Sequence, residues 1–194
     1  MGRIILFNKP FNVLSQFTDN SIDQENRQTL SLFVNHKGFY TVGRLDRDSE
    51  GLLVLTNDGE IQSRISHPQF KIEKKYWVQV EGEPNEVSLN LIRNGITLKD
   101  GICRPAYIKI ITEPSALWSR IPPVRFRKKV QDRWLEITLS EGRNRQIRRM
   151  TAAIGYPTLR LIRHSIGPWK ISSLKNGECS RVHDFNLNEL DSKS

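Results

Sequence analysis

Gly43-Arg44-Leu45-Asp46-Arg47-Asp48-Ser49-Glu50-Gly51-Leu52-Leu53-Val54-Leu55-Thr56 is the stretch on which the reading of this chain turns. Its second half, Leu52 to Thr56, is a short apolar run of the kind a buried strand requires, and Phe39 to Val42 just upstream reads as another strand. The polar half is therefore a short loop held between two strands, with a glycine at each end. Its carboxylates, Asp46, Asp48 and Glu50, alternate with Arg47 and Ser49. Such a cluster suits general acid/base or nucleophilic chemistry, a divalent cation, or a salt-bridged turn. An EF-hand register begun at Asp46 puts Asp48 third, Glu50 fifth and Gly51 sixth, then fails, because Asn57 stands where the bidentate carboxylate belongs. A magnesium-dependent nuclease using Asp46, Asp48 and Glu50 stands as a competing reading.

Ile4 to Phe7 is a short apolar run stopped by Lys9-Pro10, which predicts a strand. After Thr56, Asn57 offers an N-cap with Glu60 three residues on, so a helix is expected from Asp58 to Ser66, ahead of His67-Pro68. Tyr76, Val78 and Val80 alternate with Trp77, Gln79 and Glu81, the period of a half-buried strand. A helix is expected from Glu86 to Arg93, ending at Asn94-Gly95, then strands at Ala106 to Thr112 and Trp134 to Leu139, with Pro114 to Pro123 as loop. Asn144 caps a helix with Ile147, Met150, Thr151 and Ile154 on one face and Gly155 as its left-handed stop. That leaves the Arg145, Arg148, Arg149 and Ala152 face for a ligand. Strands at Thr158 to Ile162 and Arg181 to Phe185 complete an α+β pattern without regular βα alternation.

The 194 residues, 37% hydrophobic and 26% charged, are enough to build a core in one sizeable domain or two small lobes. The net charge of +9 is concentrated, because Ser115 to Lys170 holds thirteen Lys or Arg against three Asp or Glu. Ten of the thirteen are arginines, whose planar five-donor fork suits phosphate. A polyanionic partner is expected, against the alternative of a solvated basic face. Apolar runs of four residues, Ile4 to Phe7 and Leu52 to Leu55, are far too short to span a bilayer, and no signal-peptide pattern opens the chain, so a cytoplasmic protein without a membrane partner is expected. Cys103 and Cys179 have no ligand-spaced partners and read as reduced packing residues. Phosphate-loop and dinucleotide motifs do not occur, and the four histidines do not cluster.

Gly43 to Gly59 taken whole resembles the catalytic motif of the small-subunit-type branch of RNA pseudouridine synthases. Asn8-Lys9-Pro10, Lys74-Lys75-Tyr76, Glu141-Gly142-Arg143-Asn144-Arg145-Gln146-Ile147-Arg148-Arg149-Met150 and Ile166-Gly167-Pro168 fall in the order that family shows, so the likeness spans most of the chain. The resemblance implies a single catalytic domain over residues 1–194, with a mixed, mainly antiparallel sheet. It also implies two lobes divided near residues 80–90, a cleft between them with Asp46 at its floor, and no N-terminal S4-type module.

The implied activity is isomerisation of one uridine in ribosomal RNA, that of the large subunit, by a monomer without cofactor or metal. Asp46 is then the catalytic carboxylate, as nucleophile or base. Tyr76 lies against the uracil and Arg148 partners Asp46. Lys9, Arg44, Arg143, Arg145 and Arg149 contact RNA, joined by Arg125 to Lys129. Asn12, where many relatives have glycine, tolerates a positive φ. A non-catalytic RNA-binding factor of the same fold is the other alternative.

The arginine cluster makes affinity for RNA salt-dependent: log K should fall by about 0.7 per contacted phosphate per decade of salt in titrations with a single-stranded RNA. An affinity indifferent to salt would remove the polyanion from this reading.

Overall fold

Short apolar runs broken by Pro, Gly and Asn make many short elements. The computed structural model describes residues 4–19, 27–115, 117–125, 131–171, 174–183 and 185–190. Along them run β1 (Ile4–Lys9), β2 (Tyr40–Val42), β3 (Glu50–Thr56), α1 (Gly59–Ser66), β4 (Lys74–Glu81), α2 (Glu86–Arg93) and β5 (Thr97–Leu98). Then follow β6 (Gly101–Ile102), β7 (Tyr107–Ile111), β8 (Asp132–Leu139), α3 (Gln146–Ala153), β9 (Thr158–Ile166), β10 (Trp169–Lys170) and β11 (Cys179–Val182). The fold is α+β with a mainly antiparallel sheet, as expected. Among the described residues no helix is long and apolar enough to cross a membrane.

The chain forms two units, Met1–Ile72 with Arg163–Ser194, and Glu73–Ile162. The first division falls at Ile72/Glu73 rather than near 80–90. The reason is register: β4 pairs with β8 along its whole length, from Lys74 opposite Leu139 to Glu81 opposite Asp132, which groups it with the second unit.

In the first unit β1 lies between β11 and β3, with Ile4 opposite Val182 on one side and Thr56 on the other. β2 pairs with β3, Tyr40 opposite Thr56. All seven residues of β3 are buried, which is why it reads as a continuous apolar run instead of an alternating one. Ile5, Phe7, Val13, Leu30, Val34, Leu53 and Leu55 form its core, with Phe33 against Phe7 at 5.7 Å between ring centres. Asp58, one residue later than expected, is the α1 cap: its Oδ1 accepts from the Glu60 and Ile61 N–H groups at 2.9 and 3.3 Å. β11 begins two residues earlier than the expected Arg181 to Phe185, because Cys179 already pairs with Phe7.

In the second unit β8 is the middle strand, between β4 and β7, so Tyr76, Ile137 and Ile108 stand in one cross-strand row. Tyr76, Val78 and Val80 are buried with Leu89 and Ile92 of α2 and Ile147 and Met150 of α3, as their periodicities predict. Asn85 caps α2, accepting from the Ser88 N–H at 2.9 Å. Asn144 does not cap α3. Arg145 occupies that position with φ +47 and makes no side-chain cap, whereas Gly155 closes the helix at φ +90 as expected. Cys103 and Cys179 are free thiols, and burial pushes both above the usual thiol range.

Leu53 is fully buried in β3 opposite Phe7. Leu53→Ala should cost about 2–5 kcal/mol of unfolding free energy in a denaturant titration. A loss below half of the lower figure would mean that β3 is not sealed on both faces.

Candidate active site

The loop between β2 and β3 is built around its backbone carbonyls. Those outside a strand ladder need donors once buried, and side chains from distant segments supply them. Arg163 of β9, only 2% exposed, gives Nη2 to the Gly43 carbonyl at 2.7 Å and Nε to the Leu52 carbonyl at 2.8 Å, so one guanidinium ties both ends of the loop together. Ser15 and Leu45 bond reciprocally: the hydroxyl donates to the Leu45 carbonyl at 2.7 Å and accepts from the Leu45 N–H at 3.2 Å. The Arg47 carbonyl accepts from the Asn12 N–H at 2.8 Å and from Lys9 Nζ at 3.4 Å. Asn12 adopts φ +66 to do so, a conformation its side chain tolerates. Asp46 sits half-buried on this frame, opening a turn closed by the Ser49 N–H to the Asp46 carbonyl at 3.1 Å.

Lys9 does not present its ammonium to a ligand. It is fully buried and donates also to the Pro10 and Val13 carbonyls at 2.8 and 2.7 Å. Burial pushes its pKa down to about 7 and Arg163 adds to the fall, while Glu50, Asp48 and Asp46 hold it up. The expected RNA contact at Lys9 is thus replaced by a support beneath the Asp46 loop. Glu50 is itself 1% exposed within β3, and among the described residues no three His, Cys, Asp or Glu side chains gather as a metal site would need.

The second unit carries the other expected site residues. Tyr76 lies on β4, only 9% exposed, its ring in the core described above. Arg148 is half-buried on α3, its Nη1 at 3.5 Å from the Thr158 carbonyl, beside a Thr151–Thr158 hydroxyl pair at 2.7 Å. The turn that opens α3 is fixed by Glu141, 8% exposed, which accepts from the Arg104 N–H at 3.0 Å and from Gln146 Nε2, while Gln146 Oε1 accepts from the Arg143 N–H at 3.0 Å. That pair fixes the turn before Gln146, and Arg145, inside the turn, makes no side-chain cap.

The basic segment is less of a surface than its composition suggests. Arg160 is 6% exposed, donating to the Trp118 carbonyl at 2.9 Å, and Arg163 is buried as described. Arg120 bonds the Pro122, Pro123 and Leu159 carbonyls, and Arg133 pairs with Glu83. Arg149 pairs with Asp100, and Arg143 is held by the Gly101 and Ile102 carbonyls. Arg44, Arg125 and Arg145 are exposed, Arg44 within 3.2 Å of Gln16 Oε1. Arg127, Lys128 and Lys129 lie outside the described residues.

Residues 3–153 match the family model for RNA pseudouridylate synthase. The chain belongs to that family. It is 54% identical over 180 residues to "Ribosomal large subunit pseudouridine synthase E" of Vibrio vulnificus, covering 93% of this chain and 75% of the relative. A protein of the same name from Xanthomonas axonopodis pv. citri is 52% identical over 171 residues, covering 88% of this chain and 89% of the relative. A solved pseudouridylate synthase superposes with TM-score 0.75 at 26% identity, over 98% of this chain and 73% of that one.

In this RNA pseudouridylate synthase, sequence reasoning missed Ser15, Arg163 and Glu141 as supports. Arg163 stood among arginines read as a polyanion surface, and nothing in its neighbourhood marks it as buried. Glu141 lay inside a quoted motif, and its spacing to Gln146 was the available signal.

Folded Lys9 gives up its proton near pH 7 and the unfolded side chain near 10.5, so between those values the unfolded state binds more protons. This group therefore makes folding more favourable as pH rises from 7 to 10.5, and its contribution is constant below 7. Unfolding free energies measured across that window should rise in the wild type relative to Lys9→Met. Parallel profiles would show that Lys9 keeps an ordinary pKa.

Proposed function

We propose that this RNA pseudouridylate synthase isomerises a uridine of large-subunit ribosomal RNA to pseudouridine. The observation that carries the reading is the Asp46 loop: a half-buried carboxylate on a backbone gripped by Lys9, Ser15 and Arg163, in a chain more than half identical to synthases named for the large ribosomal subunit. In the reaction the N1–C1′ bond breaks, the uracil turns, and C5 bonds to C1′. The C5 proton leaves and N1 takes one up, so atoms and electrons balance and no cofactor is called for. Asp46 acts at the ribose, either adding to C1′ or taking the 2′ proton to give a glycal, and both routes end in the same product. Tyr76 lies against the uracil, where its hydroxyl helps remove the C5 proton. Arg148 is the catalytic cation in this reading.

The base must leave its stack first, at a cost of a few kcal/mol when it is paired. Contacts to the RNA backbone offset that cost. Arg44, Arg145 and Arg149 are the arginines that serve here, because Lys9 is buried and Arg143 is committed to carbonyls. The same reading puts a monomer in the cytoplasm, with its ribosomal RNA.

Large-subunit rRNA transcribed with 5-tritiated uridine should release tritium to solvent with the wild type, in EDTA, since isomerisation displaces the C5 hydrogen. Asp46→Asn should release none while binding the transcript within a few-fold of wild-type affinity. Turnover by Asp46→Asn would remove Asp46 from the chemistry, and magnesium-dependent cleavage of the transcript without tritium release would favour the nuclease alternative.

A further inference from the structure

The β5–β6 hairpin turns through Lys99 and Asp100, with Leu98 opposite Gly101. Gly101 takes the chain out of the turn at φ +108, where a side chain would be strained. Arg143 clips this hairpin to the region before α3: its Nη1 and Nη2 donate to the Gly101 and Ile102 carbonyls, and its Nε lies 3.5 Å from the buried Glu141 carboxylate. The clip delivers Asp100 to α3. There both carboxylate oxygens meet both terminal nitrogens of Arg149, Oδ1 to Nη1 at 2.7 Å and Oδ2 to Nη2 at 3.0 Å.

A two-oxygen fork on a two-nitrogen fork is also how a guanidinium takes a phosphodiester. Asp100 is 47% exposed and Arg149 32%, so solvent and ligand reach both. The Arg149 hydrogen bonds hold the Asp100 carboxyl below the usual carboxylate range, so the pair is intact at neutral pH. We propose that Arg149 is a phosphate site for the RNA backbone that Asp100 occupies in the free enzyme, so that RNA binding here exchanges one carboxylate for one phosphate. The inference rests on the reading of the chain as an enzyme acting on RNA.

Two consequences follow from exchange. Asp100 weakens binding, because the phosphate must displace a ligand already in place. It also flattens the salt dependence, because Arg149 and a nearby Asp100 together bring no net charge to the RNA. Arg143, whose Nη1 also lies 3.8 Å from Asp100 Oδ1, stays where it is throughout, since the hairpin carbonyls and Glu141 hold it without Asp100.

The test is the affinity of a fluorescently labelled large-subunit rRNA fragment across a series of KCl concentrations, for wild type, Asp100→Asn, Asp100→Glu, Arg149→Gln and the double variant Asp100→Asn/Arg149→Gln. Asp100→Asn should bind about two- to fivefold tighter at low salt, the range an exposed ion pair supplies. Its slope of log K against log salt should be steeper by about 0.7. Asp100→Glu should behave as wild type, and the gain from Asp100→Asn should vanish when Arg149 is glutamine. Weaker binding by Asp100→Asn would mean that Asp100 merely holds Arg149 in place, and an equal gain with and without Arg149 would mean a stray negative charge; either overturns the exchange. Tritium release separates this outcome from the parent reading. A chain that releases tritium but shows no Asp100 effect loses only this inference, and one that binds no RNA in any variant loses both.

Discussion

Two desolvated cations on backbone carbonyls hold the Asp46 loop, and the rest of the first unit is arranged around them. Lys9 and Arg163 between them bond the carbonyls of Gly43, Arg47 and Leu52, which span the loop from its first residue to the strand that follows. A buried charge without a partner is costly, and three carboxylates, Asp46, Asp48 and Glu50, act electrostatically on Lys9 within the same unit. The alternating acids that look like a metal loop in the sequence are thus counter-charge for Lys9.

The legible parts of the fold were those in which burial follows a period. The full burial of β3, the alternation of β4 and the Asn85 to Asn94 limits of α2 are written in runs, periods and caps that lie next to one another in the chain. The hairpin at Thr97 to Ile102 was not, because two-residue strands carry no period, although Asp100-Gly101 is a turn signal. The start of α3 misread for a different reason. Asn144 has the composition of a cap, but the turn there is set by Glu141 and Gln146, a contact that competes with capping and is marked only by the spacing of the two residues.

Among the candidate residues, residue type was legible and partner was not. Motif singles out Asp46, Tyr76 and Arg148 as candidates, yet nothing in sequence separates an arginine aimed at solvent from one bonded to a carbonyl. Arg163 and Gly43 are 120 positions apart, and Arg149 and Asp100 are 49 apart. A charge count is blind to such pairs. It remains a fair guide to long-range attraction, which depends on net charge, and a poor one to short-range contact, which depends on which donors are still turned outward.

The choice of cation at each position follows from the same geometry. The Gly43 and Leu52 carbonyls stand at opposite ends of the loop, and a planar guanidinium reaches both with donors on different nitrogens while keeping its proton. An ammonium is a single centre. It suits the site under Arg47, where the Pro10 and Val13 carbonyls converge with it on one point. The cost of that compactness is a proton held loosely, since burial brings the Lys9 ammonium down to about neutral pH, whereas an arginine starts from a far higher intrinsic pKa. The loop therefore has one end-to-end brace that is indifferent to pH and one central support that is not, and the carboxylates between them set how firmly the second holds its charge.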